Sequence, residues 1–356
     1  MKIALVLGTR PEIIKLAPII NKLGKKNSDV IFTGQHYDYE MSLQFFNQLK
    51  IRKPDHSLQI SRSEPAIQIG EMLTKLPAIF NQIKPDTVLV QGDTNTVLAA
   101  SMAALKCGIP ISHVEAGLRS FDWRMPEEHN RIITDHISEL LFAPTLVSKK
   151  NLLSEKVHGK IFVTGNTVID AINIFADMSA QKAKLEIDFT DFVLLTLHRA
   201  ENVDDKKTLT SIINAVIESG QNFVFPLHPR TKQKLKLYGL YEKFVKSKNI
   251  KLIKPVGYFE MLELMKRCLF IVTDSGGIQE ESTSPKINKK VVVVRKSTDR
   301  PEAVKAGFSR ITGLSYSKIL TAIKEAARNP TLPRKTSPYG KGNTSEQIIK
   351  LIHKNI

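Results

Sequence analysis

The chain has few cysteines and no long hydrophobic run. Among its 356 residues only Cys107 and Cys268 are cysteines, far apart and outside any metal-like spacing. This excludes a disulfide framework and a cysteine-rich metal site, and predicts two buried structural thiols. No apolar segment approaches the roughly 18 residues of a membrane helix, and the first eight residues are too short and strand-like for a signal peptide. We therefore expect a cytoplasmic protein with no membrane partner.

The net charge of +17 raises the question of nucleic-acid binding. The lysines are dispersed along polar helix faces, as in residues 232–248, and the chain carries no recognisable nucleic-acid motif. A small anionic substrate accounts for the excess positive charge equally well. The sequence therefore predicts no nucleic-acid partner.

Length and strand pattern predict an α/β protein with two Rossmann-like, doubly wound parallel-sheet domains facing a cleft. The chain is too long for one ordinary core, and alternating short apolar runs and helical patterns are typical of βαβ units. The pattern occurs twice. Its apolar runs are 3–7, 30–33, 87–90, 109–114 and 161–164, then 192–197, 223–227, 251–253, 269–273 and 291–294. We expect domains over 1–167 and 168–340, with a helix in 341–356 packing back on the first domain.

Carboxylates cluster where predicted strands of the first half end. Asp93 and Glu115 each follow such a strand, and Glu127 and Glu128 open the next helical pattern. The carboxyl ends of parallel strands form the ligand crevice of open α/β sheets, and neighbouring carboxylates push their pKa values apart, which suits proton transfer. The simpler alternatives are a helix cap at Asp93 and a helix-dipole role for the pair Glu127 and Glu128.

A possible anion site follows the first strand. Gly8 permits a tight turn, Pro11 fits the first turn of a helix, and Arg10 adds a cation to the free N–H groups there. Lys15 follows about one helical turn after Pro11. The alternative is an ordinary helix start with Arg10 in a surface salt bridge.

In the second half, His198 stands where a strand ends, and a histidine there can titrate near neutral pH or hold a phosphate. A merely hydrogen-bonded histidine is the alternative. After a later strand, Ser275, Gly276 and Gly277 open a helix with exposed N–H groups and a hydroxyl, which can hold a diphosphate without metal. Two further groups follow, the possible ribose ligand Glu281 and the cation Arg300.

Together the motifs resemble those of the non-hydrolysing UDP-N-acetylglucosamine 2-epimerases. They are, in order, GTRPEIIK, QGDTNT, HVEAGLRS, PEEHNR, the His198-Arg199 pair, TDSGGIQEE and DRPEAV. The resemblance extends from Met1 to the tail and implies the B-type glycosyltransferase fold, a UDP-sugar partner, no cofactor, no metal and a homodimer. In that family UDP is eliminated to give 2-acetamidoglucal, then added back with the proton delivered to the opposite face of carbon 2.

The resemblance also implies roles for individual residues. Asp93, Glu115 and Glu127 match acid/base carboxylates of the first, sugar-binding domain, and His198 joins them as a catalytic group. The second domain is expected to hold most of the UDP. The matched substrate-binding positions are Arg10, Lys15, Arg131, Ser275, Gly276, Gly277, Glu281 and Arg300.

Four other functions stay open on the sequence alone. The same motifs serve 2-epimerisation of a modified sugar such as UDP-2,3-diacetamido-2,3-dideoxyglucuronate, and a hydrolysing relative would release UDP and free N-acetylmannosamine. A UDP-sugar glycosyltransferase would transfer the sugar to an acceptor, because fold alone does not determine function. A non-catalytic UDP-sugar sensor would only bind.

Overall fold

The computed structural model describes residues 1–35, 45–61 and 64–356. The chain divides into two compact units: residues 1–171 with 339–356 form unit 1, and residues 172–338 form unit 2. Of the helices in the described part of the chain, none combines the length and hydropathy needed to span a bilayer.

Unit 1 contains a parallel sheet of seven strands, counted over the described residues. Its strands are β1 (Ile3–Leu7), β2 (Ser28–Phe32), β3 (His56–Ser57), β4 (Thr87–Gln91), β5 (Ile111–Val114), β6 (Leu140–Ala143) and β7 (Lys160–Val163). The helices are α1 (Arg10–Asn27), α2 (Pro65–Ile83), α3 (Asn95–Lys106), α4 (Pro126–His136), α5 (Leu146–Ser154) and α6 (Thr167–Lys182), which continues into unit 2. The strand order β3-β2-β1-β4-β5-β6-β7 reverses between β1 and β4.

Unit 2 repeats this arrangement with six strands among the described residues. Its strands are β8 (Val193–Thr196), β9 (Phe223–Pro226), β10 (Ile250–Ile253), β11 (Ile271–Thr273), β12 (Val291–Val293) and β13 (Ser309–Ile311). Its helices are α7 (Ala200–Val203), α8 (Lys206–Glu218), α9 (Pro229–Leu237), α10 (Tyr241–Val245), α11 (Tyr258–Arg267), α12 (Gly276–Glu281), α13 (Pro301–Lys305) and α14 (Tyr316–Arg328). The order β10-β9-β8-β11-β12-β13 reverses between β8 and β11.

Burial explains why these segments form strands. Each residue of β1, β4, β5 and β6 is buried, and so are β8, β9, β11 and β12 along their whole length. Parallel sheets covered by helices on both faces require such continuous apolar runs, which is the pattern that predicted the fold class. The prediction of two parallel-sheet α/β domains is confirmed.

Three strands and one thiol differ from the sequence-based expectations. The prediction omitted β3, β6 and β13. β3 has two residues and β13 contains Arg310, and both lie at sheet edges, where a strand needs no continuous apolar run. β6 is a central, buried strand of four residues, and nothing in the structure explains why its apolar run was overlooked. Cys268 is buried as expected, but the expectation for Cys107 was wrong because its side chain is partly exposed.

The C-terminal helix α15 (Thr344–Asn355) belongs to unit 1 and contacts α1. The carboxylate of Asp170, which is buried, accepts hydrogen bonds from the backbone N–H groups of Thr344 at 3.1 Å and Ser345 at 2.8 Å. Thr344 also donates its hydroxyl to the carbonyl of Thr164. A side chain 174 residues earlier in the chain therefore caps the closing helix.

We expect Asp170→Ala to lower the free energy of unfolding by about 2–3 kcal/mol, since two buried N–H groups lose a charged acceptor. Denaturant unfolding measures the loss, and hydrogen exchange should show faster exchange in α15. The control is Asp177→Ala, which removes only an exposed ion pair with Lys286 and should cost less than about 1 kcal/mol. Equal effects of the two substitutions would contradict the capping role.

Candidate active site

In each unit the predicted site residues lie at the point where the strand order reverses. In unit 1 the segments after β1, β4 and β5 carry Arg10, Asp93 and Glu115; in unit 2 those after β8 and β11 carry His198 and Ser275. At such a switch point the loops on either side diverge and leave a crevice at the carboxyl ends of the strands. The topology thus places these groups where α/β proteins bind ligands.

Glu115 is held by two side chains from neighbouring elements. Its Oε2 accepts from Lys15 Nζ of α1 at 2.6 Å and from Gln91 Nε2 of β4 at 2.5 Å. The side chain is almost completely buried, so the pairing with a cation offsets the cost of taking its charge out of water. Its backbone has a φ of +72°, a left-handed conformation that costs a non-glycine residue roughly 1–2 kcal/mol. The two hydrogen bonds and the left-handed backbone together fix the orientation of the Glu115 carboxylate.

Asp93 is fixed by helix α4. Its Oδ2 lies 2.5 Å from Nη2 of Arg131, and its carbonyl accepts from Asn130 Nδ2 at 2.9 Å. The Arg131 guanidinium is buried, whereas the Asp93 side chain keeps about a third of its exposure (31%). Arg131, which the family resemblance placed among the substrate-binding groups, therefore also orients a candidate acid/base residue. The carboxylate itself can still reach a ligand.

The adjacent glutamates on α4 have different environments. Glu127 is exposed, and within the described part of the chain its carboxylate has no hydrogen-bond or ion-pair partner. Glu128 is buried and accepts from the N–H and hydroxyl of Ser120 and from the N–H of Phe121. Glu128 thus holds the loop before α4, which leaves Glu127 as the side chain available for chemistry.

The first strand-to-helix turn is organised by Glu12. Its carboxylate accepts from the N–H groups of Gly8 at 2.5 Å and Thr9 at 2.9 Å and from the Thr94 hydroxyl. Burial raises the pKa of Glu12 to about 7, because desolvation outweighs these hydrogen bonds and Asp93 adds a like charge. Two of the N–H groups that were expected to bind an anion are thus occupied by this side chain. Arg10 lies over the Phe45 ring, with 5.6 Å from its guanidinium carbon to the ring centre.

In unit 2 a buried aspartate organises the loop that follows β8. The carboxylate of Asp274 accepts from the N–H groups of His198 and Arg199 and from the side-chain amide of Asn202. The His198 ring is about half exposed (44%), with Nδ1 3.4 Å from Asp274. The ring of His228 lies 5.9 Å from it, and the pKa of His228 is lowered by burial and by the positive charges of His198 and Arg230. His198 therefore presents its ring beside a second histidine.

Ser275, Gly276 and Gly277 stand at the start of α12, and the Ser275 hydroxyl caps this helix by accepting from the N–H of Ile278 at 3.5 Å. Gly276 lies between charged groups of two other loops. A Cβ added there would sit 3.5 Å from Asp299 Oδ1 and 3.8 Å from Arg199 Nη2, whereas Gly277 has open space around it. Basic and acidic side chains therefore converge on the start of α12.

The remaining two predicted groups of unit 2 have protein partners. Arg300 pairs with buried Glu280 at 2.5 Å and with Asp299 at 3.0 Å. Glu281 is half-buried. The pKa of Tyr258 is raised well above its ordinary value, first by the burial of Tyr258 and then by the negative charge of Glu281. Arg300 is thus anchored on both sides of its guanidinium by carboxylates, and Glu281 lies close to the aromatic start of α11.

The side chains that fix the predicted site residues in place were not identified from the sequence. Gln91, Asn130 and Asp274 lie inside the quoted motifs but were assigned no role. Gln91 ends a strand and follows an apolar run, which is the one local signal that its amide points into the site. The pairing of Arg131 with Asp93 spans 38 residues and has no local signal.

The raised pKa of Glu12 predicts a pH-dependent stability. In the folded protein the Glu12 carboxyl keeps its proton up to about pH 7, whereas in the unfolded chain it loses the proton near its ordinary pKa of 4.5. The free energy of unfolding should therefore fall as the pH rises from 4.5 to about 7. The loss should be about 3 kcal/mol, from about 1.4 kcal/mol per pKa unit, and level off above both pKa values. Glu12→Gln should flatten this dependence in denaturant unfolding, whereas the exposed Glu242→Gln should not. An unchanged slope in Glu12→Gln would contradict the assignment.

Comparison with known proteins identifies the family of the chain. A profile of the UDP-N-acetylglucosamine 2-epimerase family matches residues 20–353. The UDP-N-acetylglucosamine 2-epimerase of Methanocaldococcus jannaschii is 44% identical, over 99% of each chain. The UDP-2,3-diacetamido-2,3-dideoxy-D-glucuronate 2-epimerase of Pseudomonas aeruginosa is 38% identical, over 99% of this chain and 100% of its own. A crystal structure of the M. jannaschii enzyme in complex with UDP-GlcNAc and UDP matches with a TM-score of 0.87 at 42% identity, covering 99% of this chain and 100% of that one. The chain belongs to the UDP-N-acetylglucosamine 2-epimerase family.

Proposed function

We propose that this chain is a non-hydrolysing 2-epimerase that interconverts UDP-N-acetylglucosamine and UDP-N-acetylmannosamine. The observation that carries the proposal is the pair of carboxylates at the ends of adjacent strands, Asp93 and Glu115, each held by a buried or nearly buried cation. Family membership and 44% identity to a relative of that name support it. The resemblance also supports a cytoplasmic homodimer that serves polysaccharide biosynthesis.

The reaction requires proton transfer at one carbon on two faces. A carboxylate removes the proton from carbon 2, the pair of electrons forms the double bond to carbon 1, and the bond from carbon 1 to the UDP oxygen breaks. The glycal then accepts a proton on the opposite face of carbon 2, and UDP returns to carbon 1. Because the carbon 2 proton is only weakly acidic, its removal is feasible when the glycosidic bond breaks with it. Cations near the leaving diphosphate assist both events.

Three carboxylates of unit 1 suit these transfers under the proposal. Glu115 and Asp93 keep fixed orientations, and Glu127 is exposed and free to exchange protons with water. Lys15 stabilises the ionised form of Glu115 and is available to a diphosphate oxygen when a substrate displaces it.

For unit 2 we propose nucleotide binding. His198 supplies a polar ring for the diphosphate, and Ser275, Gly276 and Gly277 supply a hydroxyl and N–H groups. Glu281, half-buried beside Tyr258, would accept the ribose hydroxyls, and Arg300, anchored by Glu280 and Asp299, would contribute positive charge. No nicotinamide is required, because no hydride is transferred.

A second candidate function is 2-epimerisation of UDP-2,3-diacetamido-2,3-dideoxyglucuronate. It is favoured by the 38% identity to the P. aeruginosa enzyme of that name over the whole chain. The extra sugar carboxylate would suit the positive net charge of +17. Competition between the two UDP-sugars for the purified protein, compared by kcat/KM, decides between the two functions.

Incubation with UDP-N-acetylglucosamine in deuterated water should give UDP-N-acetylmannosamine with deuterium at carbon 2. The proton removed in the elimination is replaced by one that has equilibrated with solvent. Mass spectrometry and proton NMR measure the label, and the same spectra detect free N-acetylmannosamine, the product of a hydrolysing enzyme. Epimerised product without deuterium would contradict the elimination mechanism, and transfer to an added acceptor would favour a glycosyltransferase.

Asp93→Asn, Glu115→Gln and Glu127→Gln should each lower kcat about 10²- to 10⁴-fold, the range expected when one general acid or base is lost. Binding of UDP, measured by calorimetry, should change little because the diphosphate groups are retained. Glu242→Gln, an exposed carboxylate on α10, is the control and should keep the parental kcat. A carboxylate whose amide variant retains full activity takes no part in proton transfer.

A further inference from the structure

His113 lies in β5 and is completely buried, yet both nitrogens of its ring have polar partners. Nδ1 lies 2.7 Å from Oδ1 of Asp135, and Nε2 lies 2.8 Å from the carbonyl oxygen of Gly92. A carboxylate and a carbonyl are both acceptors, so each ring nitrogen must donate. The geometry requires a ring that carries two N–H groups, which is the positively charged form of histidine.

The charge of the ring is balanced locally. Burial would raise the pKa of Asp135, but the neighbouring His113 and Arg119 outweigh it and the pKa is lowered, so the carboxylate is ionised. Arg119 approaches Asp135 Oδ2 at 2.7 Å and also pairs with Glu155 at 2.6 Å. Two cations and two carboxylates therefore form one cluster behind the strand ends, and an ionised imidazole ring is compensated there.

The His113 ring reaches the segment of Asp93 directly and the segment after Glu115 through Asp135. Gly92, which directly precedes Asp93, donates its N–H to the carbonyl of Val114 and accepts from His113, so both of its backbone groups are fixed. The other oxygen of Asp135 accepts the N–H of Gly117 at 3.1 Å, two residues beyond Glu115. One ring thus joins the end of β4 to the segment after β5.

The contact between His113 and Asp135 also involves the helix that carries Glu127. Asp135 lies in α4, the helix whose first turn carries Glu127 and whose second turn carries Arg131. Gly117 fits this joint because its φ is +80° and an added Cβ would lie 2.4 Å from the carbonyl of Ser148. The backbone at Gly117 is therefore packed so closely against α5 that only glycine fits there.

We propose that His113 is the positioning residue of the reaction. Its doubly protonated ring holds the turn of Asp93, the turn of Glu115 and helix α4 in one register, and so sets the distances between the carboxylates that move protons at carbon 2. The proposal rests on the proposed function. It assigns His113 no contact with the substrate, because the ring is buried on all sides.

Three substitutions of His113 test the hydrogen bonds of its two ring nitrogens separately. In His113→Gln the amide nitrogen can replace Nε2 toward Gly92 but cannot serve Asp135; in His113→Asn it can replace Nδ1 toward Asp135 but cannot reach Gly92. Each should lower kcat about 10- to 100-fold with the KM for UDP-N-acetylglucosamine changed less than about threefold, since small misplacements of reacting groups act on the chemical step. His113→Phe, which loses both contacts, should be lower than either.

A double-variant cycle separates positioning from general instability. If His113 acts through Asp93, His113→Phe combined with Asp93→Asn should lose little more kcat than Asp93→Asn alone. Ser112→Ala is the matched control: this buried neighbour in β5 bonds the Thr87 hydroxyl at 3.0 Å, so its loss should reduce stability without reducing kcat. Fully additive losses, or equal losses in Ser112→Ala, would overturn the proposal.

Nitrogen-15 NMR of histidine-labelled wild-type protein tests the ring even where a variant fails to fold. Both ring nitrogens of His113 should be protonated and exchange slowly with solvent, the signals being assigned by their absence in any folded His113 variant or by their coupling to the Asp135 side chain. An unprotonated Nδ1 or Nε2 would overturn the proposal. This result does not depend on activity, whereas wild-type protein that fails to epimerise UDP-N-acetylglucosamine would contradict the proposed function alone.

Discussion

Asp135, in the last turn of α4, carries a carboxylate with no exposure to solvent. The segments around it in unit 1 supply the donors that offset its negative charge. An ion buried without partners would cost several kcal/mol, so the chain must bring donors to it. The donors are His113 in β5, the N–H of Gly117 and the guanidinium of Arg119. All three flank Glu115 in the sequence, so satisfying one buried charge determines the backbone path on both sides of the candidate catalytic residue.

Unit 2 solves the equivalent problem with Asp274. This buried carboxylate directly follows β11 and accepts from the N–H groups of His198 and Arg199, which follow the neighbouring strand β8. In unit 2, therefore, a buried aspartate draws together the two loops at the reversal of strand order. Parallel strands leave their last N–H and C=O groups at the same edge, and a charge buried there can use those backbone donors without help from solvent.

The sequence predicted the fold class and the family well, because both depend on patterns that are local. Continuous apolar runs identify buried parallel strands, and the resemblance carried by the short motifs is confirmed by the family match over residues 20–353. The partners of the site residues could not be predicted from such local patterns. Gln91 and Glu115 are 24 residues apart, and His113 and Asp135 are 22 apart. The first contact follows from the pairing of β4 with β5 and the second from the position of α4 beside β5, and no periodicity in the sequence specifies either.

Short edge strands were missed for a related reason. β3 and β13 derive their stability from one paired neighbour each, so their own residues need not be apolar. The pattern that identifies a central strand is absent from them, and only the completed sheet shows that they belong to it.

The three carboxylates of unit 1 differ in how firmly they are held, and this difference has chemical meaning under the proposed mechanism. Glu115 is constrained by its backbone and by two side chains, and Asp93 by one guanidinium. A carboxylate beside a buried cation remains ionised and suits the removal of a proton. Glu127, exposed in the first turn of α4, can exchange its proton with water. Epimerisation requires both kinds of group, since the proton removed from one face must be replaced on the other by one that water supplies.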